Sequence, residues 1–378
     1  MSRPSWPSWL EGETADIGAR DQWRSLRSFD GAGPEGRLAG AEPVVSFAGN
    51  DYLGLTCHPA VVAAAHQALD RWGTGSGASR LVVGTRPVHL ELERELASWK
   101  ATEAALVFST GYGANLGVLA ALGGPEVTIF SDELNHASVV DGCRLSRAEV
   151  VVYPHGDAEQ LGEMVRRCSG RSVVVTETVF SMDGDLAPVK RVIDICARHG
   201  AVLVLDEAHA VIGPDLGPVP ADLDLLRVGT LSKALGSLGG FVAAPRRWIE
   251  LLVNRSRTFI FTTAPTPADT AAALAALAVI RSDDGRQRLS RLRANIERVR
   301  PGHRSPIIPV VLGEEAAALA ASESLLARGL LVPAIRPPTV PVGTSRLRLA
   351  LSAVHTDDQV QRLTEALHEL GLAAGVAR

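Results

Sequence analysis

Residues 201–209 read AVLVLDEAH, and residues 225–244 read LLRVGTLSKALGSLGGFVAA. Each begins as a short apolar run without alternation, the pattern of a strand buried on both faces. Each then changes character within a few residues. The first runs into Asp206 and His209, and the second into Lys233 and a glycine-rich turn ahead of GFVAA (240–244). Polar chemistry placed just past buried strands is expected of an α/β sheet, whose ligands lie beyond the strand C-termini.

Similar runs recur upstream at AALVF (104–108), VTIF (127–130), VVVY (150–153) and SVVVTET (172–178). Stretches with helical spacing separate most of them, as in Val189, Val192, Ile193, Cys196 and Ala197. The alternation predicts an α/β fold with a mostly parallel central sheet flanked by helices. After residue 265 the pattern becomes a long Ala/Leu-rich helix, an Arg-rich helix, and strands at IIPVVL (307–312) and RLRLAL (346–351), the mark of a smaller α+β unit. The predicted organisation is an N-terminal arm with one short helix (1–45), a large α/β domain (46–281) and a small C-terminal α+β domain (282–378).

Composition narrows the function. With 46% hydrophobic and 21% charged residues over 378 positions, the chain is of ordinary globular type. Its 38 cationic residues are scattered among 42 acidic ones, so no basic face for nucleic acid is expected. Four cysteines without a CxxC pair or a Cys/His cluster suggest neither a disulfide framework nor a metal site. The N-terminus, MSRPSWPSWLEGE, lacks the apolar core of a secretory signal. The most apolar stretch, 271–280, is too short to span a bilayer. A cytoplasmic protein without a membrane partner is the expectation. Lysine is scarce: Lys100, Lys190 and Lys233 are the only three, so chemistry requiring an amine has three candidates.

Four strand ends carry reactive groups. Ser109-Thr110-Gly111-Tyr112-Gly113-Ala114-Asn115 follows AALVF and opens a helix, where free N–H groups and glycines make an anion cradle suited to a phosphate. A dinucleotide fingerprint is the competing reading, since G-x-G follows a strand, but Leu116 stands where its third glycine belongs. Asp206 is either a buried acid paired with a cationic ring nitrogen or a helix cap, and His209 either a ligand group or a core histidine. Lys233 lies among Leu231, Ala234 and Leu235, surroundings that favour the neutral amine needed for Schiff-base chemistry. Lys100 and Lys190 read as solvated helix-end residues. His136, near the end of VTIF, can stack on an aromatic ligand or cap the next helix; His89, His155 and His199 read as solvated. A phosphate cradle, an acid, a stacking ring and an amine are together the requirements of pyridoxal 5'-phosphate. D-E-A-H as a helicase box fails for want of a GxxxxGK[ST] loop.

The chain resembles the α-oxoamine synthase family of fold-type-I pyridoxal-phosphate transferases. The resemblance is carried by NDYLGL (50–55), GTGSGASRLVVG (73–84), FSTGYGAN (108–115), NHAS (135–138), VFSMDGDLAP (179–188), DEAH (206–209), TLSKALGSLGG (230–240) and AIRPPTVPVGTSRLRLALSA (334–353). It implies Lys233 as Schiff-base lysine and general base, and Asp206 as partner of the pyridine nitrogen. His209 and Ser181 would sit on the phenolic side of the ring, His136 on its face, and Gly111, Tyr112 and Thr230 at the phosphate. Arg348 would receive the amino-acid carboxylate, Asn50 and Thr339 line the substrate site, and Arg24 contact the acyl substrate. AIRPPTVP is similar to the branch that joins L-alanine to a pimeloyl thioester carried on coenzyme A or a carrier protein. Family members form homodimers, which implies that Thr262 and Thr263 reach the phosphate of the opposite subunit. The loops GTGSG (73–77) and FTTAPTP (261–267), lacking an evident local partner, are expected at that interface.

Overall fold

The computed structural model describes residues 5–20, 22–39 and 42–372. Its centre is a seven-stranded sheet made of β1 (Ala104–Phe108), β2 (Val127–Asp132), β3 (Glu149–Tyr153), β4 (Arg171–Glu177), β5 (Val202–Asp206), β6 (Leu225–Thr230) and β7 (Gly240–Ala244). The strand order is β1-β7-β6-β5-β4-β2-β3, and β7 alone runs antiparallel to its neighbours. The strands anticipated from the apolar runs are therefore present, with ends shifted by a residue or two.

Alternation within those runs is hidden because both faces are apolar. Val173, Val175 and Val204 point into one core with Val118, Leu119 and Val139 from the covering helices. Val174, Leu203 and Leu205 point into the other, with Leu161, Val192 and Ile193. Period-two geometry thus divides each strand between two helical layers. The register sets Glu177 directly beside Asp206, so two carboxylates arrive together at one end of the sheet.

The C-terminal region builds a three-stranded antiparallel sheet in which Ser345–Ala350 lies between Ile307–Gly313 and Ala334–Ile335. A third apolar cluster joins this sheet to the large one, with Leu347, Leu349 and Val360 sharing a core with Leu92, Leu96 and Phe241. The N-terminal arm holds more than the single short helix expected. After a 14-residue helix, Trp6–Ala19, come the strands Phe29–Ala32, Glu35–Leu38 and Pro43–Ser46, the last pairing in parallel with Leu330–Leu331. The strand FDGA is exposed at all four positions, so it leaves no apolar signal in the sequence.

Candidate active site

The cradle forms where β1 gives way to the helix Gly111–Leu122. Thr110 is its N-cap, its hydroxyl accepting from Gly113 N at 2.9 Å. Thr230, ending β6, lies against this turn: a Cβ built on Gly111 would stand 3.2 Å from Thr230 Cβ. Gly240 must also lack a side chain, because its Cβ would come within 2.5 Å of Gly111 N. The Thr230 and Ser232 hydroxyls, 2.7 Å apart, complete a rim of donors around the helix start, where an anion is favoured.

Asp206 closes the opposite side. Buried at the end of β5, it accepts from Ala208 N at 2.8 Å and from Asn115 Nδ2 at 2.7 Å. His136 caps the helix Ala137–Leu145, its Nδ1 accepting from Ser138 N at 3.2 Å. Its own backbone N–H donates to Glu177 Oε1 at 2.6 Å. Burial lowers the pKa of His136 and, together with Asp206, raises that of Glu177 well above the usual carboxylate range.

Lys233 follows β6. Burial lowers its pKa to about 8, against the opposing pull of Asp206 and Glu177. Its Nζ is 2.7 Å from His209 Nε2, and His209 is itself held well below its ordinary pKa by burial, Lys233 and Arg348. Gly111, Tyr112, His136, Asp206, His209, Thr230 and Lys233 all border one cavity of about 250 Å³. Three larger clefts, about 700, 670 and 500 Å³, lie elsewhere and gather no such set of groups.

The remaining anticipated residues are not among those bordering this cavity. Arg348 donates to Ser181 O at 2.6 Å and to Asn50 Oδ1 at 3.2 Å, and Arg24 Nη2 lies 3.5 Å from Thr339 Oγ1. Tyr112 is pinned by a hydrogen bond from its hydroxyl to Asp141, its ring edge-on to His136. Thr262 and Thr263 are exposed outside the cavity.

Three expectations are corrected. The loops at 73–77 and 261–267 do have local partners, namely each other: Ser76 Oγ donates to Pro265 O at 2.6 Å, and Ala264 N donates to Ala78 O at 3.0 Å just beyond the first loop. Lys100 is not solvated but buried, 2.6 Å from Glu207, because the helix it ends packs against the sheet. His89 is fully buried between Arg86 N and Pro265 O, and His155 is clamped between Asp132 and Asp185. Sequence reasoning also passed over Asn115, Glu177 and Tyr52. Asn115 and Glu177 stood inside stretches already singled out, and for Glu177 a polar residue ending an apolar run was the available signal.

The donor set fits a ring with an anionic group at one end, a basic nitrogen at the other and a carbonyl open to an amine. The buried Asn115 Oδ1 has no hydrogen-bond partner, so polar capacity remains at the Asp206 side. The chain belongs to the class I and II aminotransferase family, which it matches over residues 42–367. Within that family it is similar to 8-amino-7-oxononanoate synthases. It is 48% identical over 379 residues to the one from Anaeromyxobacter dehalogenans, covering 95% of this chain and 94% of that protein. It is 47% identical over 378 residues to the one from Methylobacterium nodulans, covering 98% of each. Among solved structures, serine palmitoyltransferase from S. paucimobilis, with a PLP-myriocin aldimine bound, superposes with a TM-score of 0.91 at 30% identity, covering 98% of this chain and 99% of that one. The 8-amino-7-oxononanoate synthase of Francisella tularensis gives 0.73 at 27% identity, covering 87% and 98%.

Proposed function

We propose that the chain is a pyridoxal 5'-phosphate-dependent acyltransferase of biotin biosynthesis, joining L-alanine to a pimeloyl thioester with loss of carbon dioxide and of the thiol to give 8-amino-7-oxononanoate. The observation that carries this reading is the pairing, in one cavity, of a low-pKa Lys233 with Asp206 across from an anion cradle. The relatives named 8-amino-7-oxononanoate synthase narrow the substrates.

Bound in this cavity, pyridoxal phosphate supplies an electron sink for the alanine Cα. The first turn at Gly111, with Tyr112 and Thr230, holds the phosphate. Asp206 keeps a proton on the ring nitrogen, oriented by Asn115. His136 would lie against the ring face, and His209 and Ser181 would take the phenolic edge. Lys233, near neutrality in its acidity, removes the Cα proton of alanine and later returns one. Arg348 receives the alanine carboxylate, with Asn50 and Thr339 beside it, and Arg24 meets the acyl chain. Residues 46–281 thereby carry the cofactor, residues 282–378 bring Arg348 and Thr339, and the arm, residues 1–45, brings Arg24.

The working unit is a homodimer. Beside Thr262 and Thr263 the surface is strongly apolar: Phe261 is 70% exposed, and Leu81, Val82 and Val83 are 53%, 73% and 66% exposed. Exposed apolar side chains of this kind suit a partner copy, which would bring its two threonines to the cradle. Among the described residues no helix is long and apolar enough to cross a membrane. The test is mass spectrometry of products from alanine and a panel of acyl thioesters, on coenzyme A and on carrier protein. A mass matching 8-amino-7-oxononanoate supports the reading. Preference for glycine with an acetyl thioester would place the chain in a sister branch.

A further inference from the structure

Tyr52 is fully buried, and its hydroxyl lies 2.6 Å from His209 Nδ1 and 3.0 Å from Asn50 Oδ1. His209 Nε2 meets Lys233 Nζ at 2.7 Å, while Asn50 Oδ1 accepts from Arg348 Nη2 at 3.2 Å. A continuous chain of hydrogen bonds thus links the arginine of the C-terminal sheet to the amine in the cavity.

Counting protons fixes its direction. An ammonium group only donates, so His209 Nε2 must accept from a protonated Lys233. Burial, Lys233 and Arg348 keep the imidazole neutral, and its one proton therefore sits on Nδ1, facing the Tyr52 oxygen. Tyr52 in turn donates to Asn50 Oδ1, which also takes Arg348. Burial pushes the Tyr52 pKa up to about 12, so the phenol keeps its proton. Every group along the chain is satisfied in this arrangement.

We propose that Tyr52 is a positioning residue that selects the Nδ1–H tautomer of His209 and thereby leaves Nε2 open to a protonated Lys233. The inference rests on Lys233 being the reactive amine. Without the Tyr52 oxygen, Nδ1–H would face a ring edge in a buried site, and a buried donor left unpaired is costly. His209 then shifts to the Nε2–H tautomer, which meets Lys233 only as a neutral amine. Tyr52 therefore supports the basicity of Lys233 together with Asp206 and Glu177, against burial, Arg348 and His136.

With three lysines in the chain, pH-dependent acylation read by peptide mass spectrometry reports each amine separately. The comparison is between the full chain, freed of pyridoxal phosphate by dialysis against cysteine, and its Tyr52→Phe variant. The Lys233 midpoint is expected to fall by about one pH unit, a tenfold change in the proton equilibrium, while exposed Lys190 keeps its own. Nitrogen-15 NMR, assigned against His209→Asn, should show His209 protonated on Nδ1 in the parent and on Nε2 in the variant. An unmoved Lys233 midpoint in a folded Tyr52→Phe protein would falsify the proposal. An Nε2-protonated His209 in the unsubstituted chain near neutral pH would overturn it equally, and that measurement needs no variant to fold. Failure of the Lys233 assignment looks different, because cofactor fixed by borohydride would then map to Lys100 or Lys190.

Discussion

Asn115 Nδ2 lies 2.7 Å from Asp206 Oδ2, tying the helix that opens at the anion cradle to the acid at the end of β5. Gly111 and Asn115 are four residues apart on that helix, about 6 Å along its axis. One helical turn therefore sets the spacing between the helix start at Gly111 and the Asp206 carboxylate. Glu177 sits beside Asp206 in the sheet register, and burial together with Asp206 raises its pKa well above the usual carboxylate range.

Asp206→Asn keeps the shape of the side chain and an oxygen for Ala208 N, so its unfolding free energy should change by about 1 kcal/mol or less. Turnover should fall on the order of 10²-fold or more, the scale for removing a preorganised electrostatic partner. Steady-state kinetics beside urea unfolding separates the two. A near-normal kcat would reduce Asp206 to a turn-capping residue.

Lys233→Ala should remove both the visible absorbance of the bound cofactor and turnover, while thermal unfolding stays cooperative. Borohydride treatment of the parent followed by peptide mapping should place the cofactor on Lys233. Cofactor fixed by borohydride to a lysine of the Lys233→Ala protein would mean that another amine does this work.

Behind the cavity, Glu207 is paired with Lys100 at 2.6 Å and Arg227 at 2.7 Å, all but screened from water. Although burial alone would raise it, the two cations hold its pKa below the usual range. Glu207→Ala leaves two buried cations without their anion and should cost about 3–5 kcal/mol in chemical unfolding. Lys100→Met leaves Glu207 paired with Arg227 and should cost less. Equal losses would show that packing, not charge, dominates the cluster.

Much of this arrangement was legible in the sequence, for a physical reason. Strands buried on both faces need unbroken apolar runs, so a polar residue ending one, such as Asp206 or Lys233, stands out. What was hidden depends on tertiary neighbours. Lys100 looks like any lysine at a helix end until Glu207 is found against it, and His155 like a loop residue until Asp132 and Asp185 close on it. The exposed strand Phe29–Ala32 carries no periodic signal at all. Tyr52 sits in the quoted motif NDYLGL, yet nothing local says that its hydroxyl meets a histidine 157 residues away.

His155 donates to Asp132 at 2.9 Å and to Asp185 at 2.8 Å, and these carboxylates raise its pKa to about 10. In the unfolded chain it titrates near 6.5. The clamp's contribution is thus fully present below about pH 6.5 and is lost as pH rises toward 10. Stability measured by urea unfolding should decline across that window, and His155→Gln should flatten the decline. A variant with the parent's pH dependence would show that the clamp does not hold its proton on folding.

The last prediction concerns sites shared between two copies. Thr262 and Thr263 are exposed and lie outside their own chain's cavity, whereas Lys233 lies inside it. If a partner's threonines complete each cradle, Lys233→Ala and the double variant Thr262→Ala plus Thr263→Ala damage different copies of a shared site. In an isologous dimer of one of each, one site inherits both defects and the other inherits neither. Random reassociation makes half of the dimers mixed, so about a quarter of all sites should regain activity from two preparations that are each inactive or nearly so. The mixture is assayed after mild dissociation and dilution back to assay buffer, with each variant treated alone as the control. Sedimentation of the parent at assay concentration supplies the second check. Activity confined to a monomeric species would end the shared-site arrangement, and so would a mixture no more active than its parts.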